Sequence, residues 1–432
     1  MIGLASVDIT PDFITSLAGY NKNIPRESEG VHDRIFAKAV LIEKNNCTVV
    51  ILSVPAVNIG ISSVKIIRSE INLALNIPKQ NILVHATHSH SCPRSEGRYK
   101  SFLEQRCIQC IKESFINRFH GKVAFGRTTV SECGKNRRRL LYGGLPVDPE
   151  VIVMKIEDDN DNLKAIIYNY ACHCTVLGVD NKLISEDWVY FANNLIEQQK
   201  GSDVISVFIQ GASGDINPGY SAGLSAIGAK IPTRNWNEAQ RIGEKIANAV
   251  LTTIDGIVVE EIINLKSATH RFKLPARIDY PISLNEATEQ LKQAEEKLEQ
   301  YKKSGKKSEI KLDEAKTGVF FASLVKSGAE DFYSGKWGKY LWAEVQAIRI
   351  NNNIIASLPG EVFCEDGMSL KKNSAAQHTM IAELSNAIEA EGYIPSASAY
   401  EEGDYEVYCS RYRQDAASIL IKESLKNINN II

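Results

Sequence analysis

The chain has 432 residues, of which 44% are hydrophobic and 24% are charged. This composition is typical of a globular protein with a large buried core, and it excludes a disordered or fibrous chain. The 50 Lys and Arg residues nearly balance the 52 Asp and Glu residues, which gives a net charge of −2. A protein that binds nucleic acid or anionic membranes in bulk carries a basic excess. We therefore expect no nucleic-acid partner and only local basic sites.

The N-terminal sequence predicts no secretory signal peptide, because Asp8 and Pro11 come before any long apolar run and no basic segment precedes one. The most apolar stretch, residues 47–64, contains Pro55 and Asn58 and is rich in β-branched residues, which favours a buried strand over a membrane span. Nine cysteines, an odd number at low density, favour reduced thiols. We expect a cytoplasmic protein without an integral membrane segment.

Short apolar runs alternate with helix-like stretches from the N-terminus onward. The runs predicted to form buried strands are Ala37–Ile42, Val49–Val54, Asn81–Ala86, Val151–Ile156, Ala165–Ala171, Val204–Ile209 and Ala347–Ile350. The stretches predicted to form helices are Ser63–Leu75, Arg98–Phe119, Val189–Gln199 and Asn237–Ile254. Strands that alternate with helices form sheets covered on both faces. We predict an α/β fold with mixed β-sheets covered by helices.

One later segment has a different pattern. An apolar stripe at helical spacing begins at Leu284, and Ser283 and Glu286 have the spacing of a capping box. A second helix-like run begins near Glu309. These features predict a helical hairpin inserted around residues 283–330, with a charged, solvated outer face.

Three of the eight histidines lie within a few residues of one predicted strand end. Alternate residues of an extended chain point to the same face, so His88 and His90 are expected to share a face, with His85 on the other side as a structural residue. Loops beyond strand ends commonly hold ligands and catalytic groups in α/β folds. The HxH pattern alone fits both a functional site and a pair of hydrogen-bonded polar residues.

His173 ends another predicted strand, and Cys172 and Cys174 beside it should face the opposite way. A lone strand histidine is usually a satisfied core residue, but the presence of His88 at another strand end favours a shared metal site. A catalytic zinc ion commonly takes three protein ligands from different elements and leaves a position for water. The remaining ligand would be a carboxylate or another hard donor.

Two loops are also distinctive. Residues 207–218 form an apolar run and a Gly-rich turn, but they lack the Lys-Ser/Thr ending of a phosphate-binding loop, which disfavours a nucleoside triphosphate site. The run Lys135–Arg139 concentrates positive charge in an otherwise balanced chain. Guanidinium groups suit bidentate contact with a carboxylate or phosphate. Arg137 and Arg138 therefore indicate an anionic substrate, and a solvated basic loop is the alternative.

Several short motifs, in one consistent order over nearly the whole chain, carry a family resemblance. They are Gly3–Thr10, Ala18–Tyr20, Gly30–Arg34, Ala37–Ala39, Ala86–Ser91, Asn136–Arg137, Ser185–Asp187, Gly214–Pro218, Pro359–Phe363, Gly392–Ile394, Tyr400 and Tyr405–Glu406. In this combination the chain resembles the catalytic domain of the neutral (non-lysosomal) ceramidases, zinc amidases that cleave the N-acyl bond of ceramide. The resemblance implies a single catalytic domain over residues 1–432.

The resemblance also implies a zinc ion held by His88, His173, Glu361 and Tyr393. Imidazole, carboxylate and phenolate donors from separate loops form a chemically suitable set for zinc. By the same resemblance, His90 lies beside the metal-bound water as a proton acceptor or oxyanion partner.

Further positions are implied for the substrate pocket. Gly19, Arg137 and Tyr405 match residues that line it near the scissile amide in the family. Asn217 stands where the family has a serine with a catalytic role. Asparagine can donate a hydrogen bond to an oxyanion but cannot act as a nucleophile, so we expect Tyr393, Tyr405 or Asn217 to stabilise the oxyanion.

We hypothesise a zinc-dependent hydrolase that cleaves an N-acyl amide bond with metal-activated water. The expected substrate is a soluble N-acyl compound, anionic if the arginines bind it, or a ceramide-like lipid. The rivals are a metal-dependent esterase or phosphoesterase with the same ion and, because Asn217 replaces the serine, a non-catalytic zinc-containing binding protein. From Tyr393 to Ile432 the chain is too short for the family's C-terminal immunoglobulin-like domain, which we expect to be absent.

Overall fold

A computed structural model of the protein describes residues 1–20, 26–138, 143–305 and 308–432. Arg139, the last residue of the basic run, lies outside these ranges.

The strands of the described residues are β1 Ile2–Asp8, β2 Gly30–Val31, β3 Phe36–Lys44, β4 Cys47–Val54, β5 Ile82–Ala86, β6 Arg118–Phe119, β7 Gly121–Thr129, β8 Lys135–Asn136, β9 Glu150–Asp158, β10 Leu163–Tyr170, β11 Leu183–Ile184, β12 Ile205–Gln210, β13 Ile216–Asn217, β14 Glu260–Glu261, β15 Leu265–Pro275, β16 Tyr340–Ile350, β17 Asn353–Ser357, β18 Glu361–Val362, β19 Thr379–Ala382 and β20 Tyr393–Ile394. The α-helices are α1 Ile61–Leu75, α2 Gly97–Ile116, α3 Trp188–Lys200, α4 Ala222–Ala226, α5 Trp236–Asp255, α6 Leu284–Lys303, α7 Glu309–Tyr333, α8 Cys364–Asn373, α9 Ala399–Glu402, α10 Tyr405–Cys409 and α11 Ala416–Asn429. Every segment predicted as a strand or helix overlaps the corresponding element.

Two mixed sheets pack face to face at the centre. Within the described residues the first has the order β5-β4-β3-β1-β6 and the second the order β12-β10-β9-β7-β14. Alternate residues of β3 serve both faces: Val40 and Ile42 pack against the second sheet, whereas Ala39 and Leu41 pack toward α1 and α2. Helices α3 and α5 cover the outer face of the second sheet. The layers are therefore helix, sheet, sheet, helix, and the predicted α/β class is confirmed.

A third sheet, of order β15-β16-β17-β19 within the described residues, packs against α8 and α11 in its own apolar cluster. The predicted helical hairpin is α6 and α7, and the chain inserts it between the antiparallel strands β15 and β16. The capping box at Ser283 and Glu286 is formed in both directions. Among the described residues, no helix combines the length and apolar character needed to cross a membrane.

Candidate metal centre and cavity

His88 and His90 lie in the loop after β5. The expectation that extended backbone continues through this pair is wrong, because β5 ends at Ala86 and His88 has a left-handed φ of 65°. A hydrogen bond from the backbone nitrogen of His88 to the carbonyl oxygen of Ala56, 2.8 Å long, holds this conformation. The two rings meet nevertheless, with 3.3 Å between their Nε2 atoms.

His173 lies just beyond β10, which pairs in parallel with β12. Its backbone nitrogen donates to the carbonyl of Ile216 at 3.1 Å, and the indole nitrogen of Trp188 donates to its carbonyl at 3.2 Å. The loop that follows His173 is held by the buried carboxylate of Asp187. This carboxylate accepts hydrogen bonds from backbone nitrogens of the loop, including that of Leu177 at 2.9 Å. Burial raises the pKa of Asp187 to about 6, against these hydrogen bonds. These hydrogen bonds hold the backbone around His173 in place and so position its imidazole.

Glu361 and Tyr393 are brought together by a short parallel pairing of β18 with β20, in which the two residues stand opposite each other. The backbone nitrogen of Glu361 donates to the carbonyl of Gly392 at 2.8 Å. Gly360 has a φ of 65°, and a β-carbon there would lie 2.5 Å from that same carbonyl oxygen. Glycine is therefore required beside the carboxylate.

The side chains of His88, His173 and Glu361 converge. Oε2 of Glu361 lies 3.5 Å from Nε2 of His88 and 3.2 Å from Nε2 of His173. The Nδ1 atoms of the two histidines contact the carbonyl oxygens of Val57 at 2.7 Å and Ile216 at 2.8 Å. Because carbonyls only accept hydrogen bonds, each Nδ1 holds a proton, and each Nε2 faces the centre.

This arrangement fits a metal ion. Zinc–donor distances of ~2.0–2.1 Å place neighbouring donors of a tetrahedral site about 3.3 Å apart, close to the observed separations of 3.2 and 3.5 Å. The ligand atoms of His88, His90 and His173 also lie within 4.8 Å of one another. Burial, reinforced by His88, lowers the pKa of His173 to about 4. Burial alone would raise the pKa of Glu361, but His88 and His173 hold it well below its ordinary value, so the group offers the ionised carboxylate of Glu361.

His90 differs from the other two histidines in its surroundings. Its Nδ1 is buried and has no hydrogen-bond partner among the described residues. Gly19, with a φ of 93°, packs directly on the ring: a β-carbon there would lie 2.3 Å from Cγ of His90. The ring of Tyr20 meets it edge-on at 5.0 Å between centroids. Burial lowers the pKa of His90 well below its ordinary value, and the neighbouring His88 and His173 lower it further.

A cavity of about 210 Å³ opens beside these side chains. The predicted site residues that line it are Gly19, His90, Arg137, His173, Asn217, Tyr393 and Tyr405. His88 and Glu361 do not line the cavity themselves. His88 contacts His90, and Glu361 contacts His173. Thr175 and Tyr20 add polar groups, whereas the apolar part of the wall comes from α4 and α7.

The structure pairs both arginines with protein carboxylates. Nε of Arg137 donates to Glu406 at 2.5 Å, and Arg138 donates to Glu406 at 3.2 Å and to Glu402 at 2.8 Å. Their side chains are only 7% and 2% exposed, so the solvated-loop alternative is wrong for both. Only Arg137 reaches the cavity wall. Because their charge is already balanced, these arginines no longer indicate an anionic substrate.

Asn217 builds the turn at the cavity wall. Its Oδ1 accepts from the backbone nitrogens of Gly219 at 2.7 Å and Tyr220 at 3.0 Å, and its Nδ2 donates to the carbonyl of Tyr220 at 2.8 Å. One Nδ2 hydrogen is left over from these bonds. Asn217 therefore fixes the loop and still has a donor for a ligand.

Sequence reasoning missed Glu383, the buried carboxylate that ties the loops together. It accepts hydrogen bonds from Ser213, at 3.0 Å from the backbone nitrogen, and from the backbone nitrogen of Val362 beside Glu361. Burial raises its pKa well above the ordinary value. Its position directly after the buried strand β19 is the same strand-end signal that singled out His88. Phe320 and Leu324, the residues of α7 in the wall, were also missed.

A model of the N-terminal region of neutral/alkaline non-lysosomal ceramidases matches residues 1–226, more than half of the 432 residues. A neutral ceramidase of Drosophila pseudoobscura pseudoobscura is 24% identical over 306 residues, covering 58% of this chain and 43% of the relative. Neutral ceramidase B of Dictyostelium discoideum is 29% identical over 258 residues, covering 50% and 35%. The match thus spans less than half the length of these curated relatives.

Solved structures give the same fold. A structure described as ceramidase complexed with C2 superposes on 99% of this chain and 74% of its own, with a TM-score of 0.76 and 16% identity. The neutral ceramidase of Pseudomonas aeruginosa superposes on 99% of this chain and 73% of its own, with a TM-score of 0.76 and 18% identity. On the family match over more than half its length, the chain belongs to the neutral/alkaline non-lysosomal ceramidase family.

Proposed function

We propose that the protein is a zinc-dependent hydrolase that cleaves an N-acyl amide bond. The observation that carries this proposal is the convergence of His88, His173 and Glu361 at the wall of a cavity of about 210 Å³. Family membership supports amide hydrolysis, since the relatives are named as ceramidases.

His88, His173, Glu361 and Tyr393 would hold the ion. The first three turn donor atoms toward one another at suitable separations, and Tyr393 stands opposite Glu361 in the strand register. When bound, Zn²⁺ supplies Lewis acidity to the amide carbonyl and to water. A purely structural ion would be enclosed by its ligands, whereas His173 and Tyr393 line an accessible cavity.

His90 is the proton carrier in this proposal. Because burial lowers its pKa, the imidazole is neutral near pH 7 and can accept the proton that the attacking water loses. It then returns that proton to the leaving amine nitrogen, so that the amide becomes a carboxylic acid and an amine. Because Gly19 has no side chain, the ring of His90 can occupy this position without a steric clash.

Donors on the cavity wall stabilise the developing oxyanion. Burial raises the pKa of Tyr405, so its hydroxyl keeps a proton to donate at neutral pH. Asn217 retains one amide hydrogen, and Arg137 is held at the wall by Glu406. Fixed donors need no reorganisation during the reaction, which is why they favour the transition state.

The test combines metal analysis with three substrates. Protein purified without chelator is analysed for zinc, and rates are compared on an amide, an ester and a phosphoester that share one acyl or leaving group. We expect about one zinc per chain, amide cleavage, and loss of both in His88→Ala. Zinc near zero together with activity indifferent to His88→Ala would overturn the proposal, and a faster phosphoester rate would favour the phosphoesterase rival.

A further inference from the structure

We infer that helix α7 of the hairpin limits the length of the acyl chain that the cavity accepts, so that this protein prefers short N-acyl amides to long-chain lipid amides. The inference rests on the proposed function, because it names the substrate class of that same site. Phe320 and Leu324 are the residues that set the limit.

Phe320 and Leu324 lie one helical turn apart on α7, and both line the cavity. The ring of Phe320 lies 6.2 Å from that of Tyr405, measured between centroids. Tyr405 in turn lies 5.5 Å from Tyr393. An apolar wall supplied by the hairpin thus stands two aromatic rings away from the group formed by His88, His173 and Glu361, and the inference places the acyl part of a bound amide against this wall.

Helix α7 is held close to the cavity by a contact with α4. A β-carbon at Gly223 would lie 2.7 Å from the methyl group of Thr317 and 2.8 Å from the ring of Phe321. The two helices therefore touch at a position where no side chain fits. Because Ala222 and Ala226 of α4 also line the cavity, this contact closes one side of it with small apolar groups.

A second contact fixes α7 on the other side of Leu324. The hydroxyl of Tyr280 donates to the carbonyl of Val325 at 3.2 Å. A β-carbon at Gly328 would lie 2.1 Å from that hydroxyl oxygen, so the helix and the tyrosine are in direct contact. Tyr280 also belongs to the small apolar cluster at the base of the hairpin, with Ala287 and Val325. With both sides anchored, the wall cannot recede to admit a longer chain without moving the hairpin.

The size of the cavity agrees with this limit. Its volume of about 210 Å³ is below the ~300–1,000 Å³ of typical sites for drug-sized ligands. An amide with long alkyl chains needs even more space than a drug-sized ligand. Each methylene that becomes buried strengthens binding about fourfold. The specificity constant should therefore rise over the first few carbons and fall once the chain reaches Phe320 and Leu324.

The experiment measures kcat/KM for amides of one amine with acyl chains of two, four, eight and sixteen carbons, all in the same mixed micelles. The variants are Phe320→Ala, Leu324→Ala and the milder Phe320→Leu. Ile310→Ala is the matched control, because Ile310 is an apolar residue of the same helix with 74% of its surface exposed. Circular dichroism establishes that each variant is folded.

We expect the unchanged protein to cleave the shorter chains at least tenfold better than the sixteen-carbon chain. Phe320→Ala and Leu324→Ala should raise the ratio of kcat/KM for the eight-carbon chain to kcat/KM for the two-carbon chain at least tenfold. Phe320→Leu should raise this ratio by less, and Ile310→Ala should change it by less than twofold. Equal rates on four and sixteen carbons in the unchanged protein, or an unaltered ratio in all cavity variants, would overturn the inference.

Calorimetric titration of the same amides into the same proteins separates the two claims. Hydrolysis without any dependence on chain length leaves the proposed function standing and overturns the chain limit. Binding with a cut-off that the cavity variants relieve, but no hydrolysis at any length, supports the chain limit and overturns the proposed function. Neither binding nor hydrolysis overturns both.

Discussion

The group formed by His88, His173 and Glu361 at the strand ends, here the strand-end centre, and the helical hairpin of α6 and α7 are stabilised by different interactions. Backbone carbonyls and buried carboxylates fix His88, His173 and Glu361 from several sides. Among the described residues of the two hairpin helices, by contrast, only Ala287, Val325 and Ala329 are buried. A rigid polar core can hold a reaction centre, whereas a lightly buried insertion can change without disturbing it. We therefore expect changes at the centre to abolish activity and changes in the hairpin to alter specificity.

The largest effect should come from Glu361→Gln. The substitution keeps the shape but removes the negative charge that two histidine nitrogens face at 3.2 and 3.5 Å. Since the proposed ion would supply several kcal/mol of transition-state stabilisation, its loss should lower kcat/KM by about a thousandfold. Zinc analysis and amide hydrolysis of the same sample check this. Full zinc occupancy with undiminished activity would show that Glu361 is not a ligand.

Gly19→Ala should lower kcat/KM by about a hundredfold and leave zinc bound. The new β-carbon would overlap the ring of His90 and displace the proposed proton carrier, a kind of group that typically contributes ~10²–10⁴-fold. Gly60→Ala is the matched control, because a β-carbon at Gly60 meets nothing within 4 Å. If Gly19→Ala were as active as Gly60→Ala, His90 would not carry the proton.

The pH dependence of stability should also distinguish the two regions. His85 is buried with Nδ1 bonded to the carbonyl of Glu383 at 2.7 Å and Nε2 accepting from the backbone nitrogen of Gln210 at 3.0 Å. Burial lowers its pKa from 6.5 to about 4. Below pH 6.5, His85 binds a proton in the unfolded chain but stays neutral in the folded protein. The free energy of unfolding therefore falls by about 3 kcal/mol as the pH decreases to 4.

Urea unfolding at pH 6.5 and 4.5 measures this loss. His85→Gln should unfold with a smaller difference between the two pH values, because its side chain does not titrate. Gln290→Ala, on the exposed surface of α6, should leave the difference unchanged because it removes no titrating group. The same pH difference in His85→Gln and in the unchanged protein would show that His85 does not remain neutral in the fold.

The smallest effect should come from Ser283→Ala at the start of the hairpin. Its hydroxyl accepts from the backbone nitrogen of Glu286 at 3.2 Å, and its backbone nitrogen donates to the carboxylate of Glu286 at 3.1 Å. Losing the cap costs about 1 kcal/mol of helix stability. Faster hydrogen exchange confined to the amides of α6, with unchanged zinc content, is the expected result. Loss of zinc would mean that the two regions are coupled.

Six strands of the two central sheets, β3, β4, β5, β9, β10 and β12, were predicted because they are largely buried on both faces, whereas β1 and β7 of the same sheets were missed. Residues 49–54 of β4 are all buried, so the run is continuously apolar and easily recognised. Strand β15 was missed because most of its residues are only partly buried, with Arg271 and Lys273 exposed. The hairpin was predicted because a capping box and a helical stripe are local signals.

The site was predicted only as far as local signals reach. Strand ends and family motifs indicate His88, His173 and Glu361, but no local pattern indicates that His88 adopts a left-handed conformation. The pairing of Arg138 with Glu402 joins residues far apart in the sequence, so the arginine run looked like surplus charge. Phe320, likewise, faces the cavity only because the hairpin folds back over α4.

The most direct test of the central claim is a zinc titration of chelator-stripped protein, followed by hydrolysis of a short N-acyl amide. We expect no activity without metal and a linear rise that ends at one equivalent of zinc, and neither response in His173→Ala. Full amide hydrolysis by the stripped protein, unaffected by added zinc, would show that the reaction does not depend on the ion.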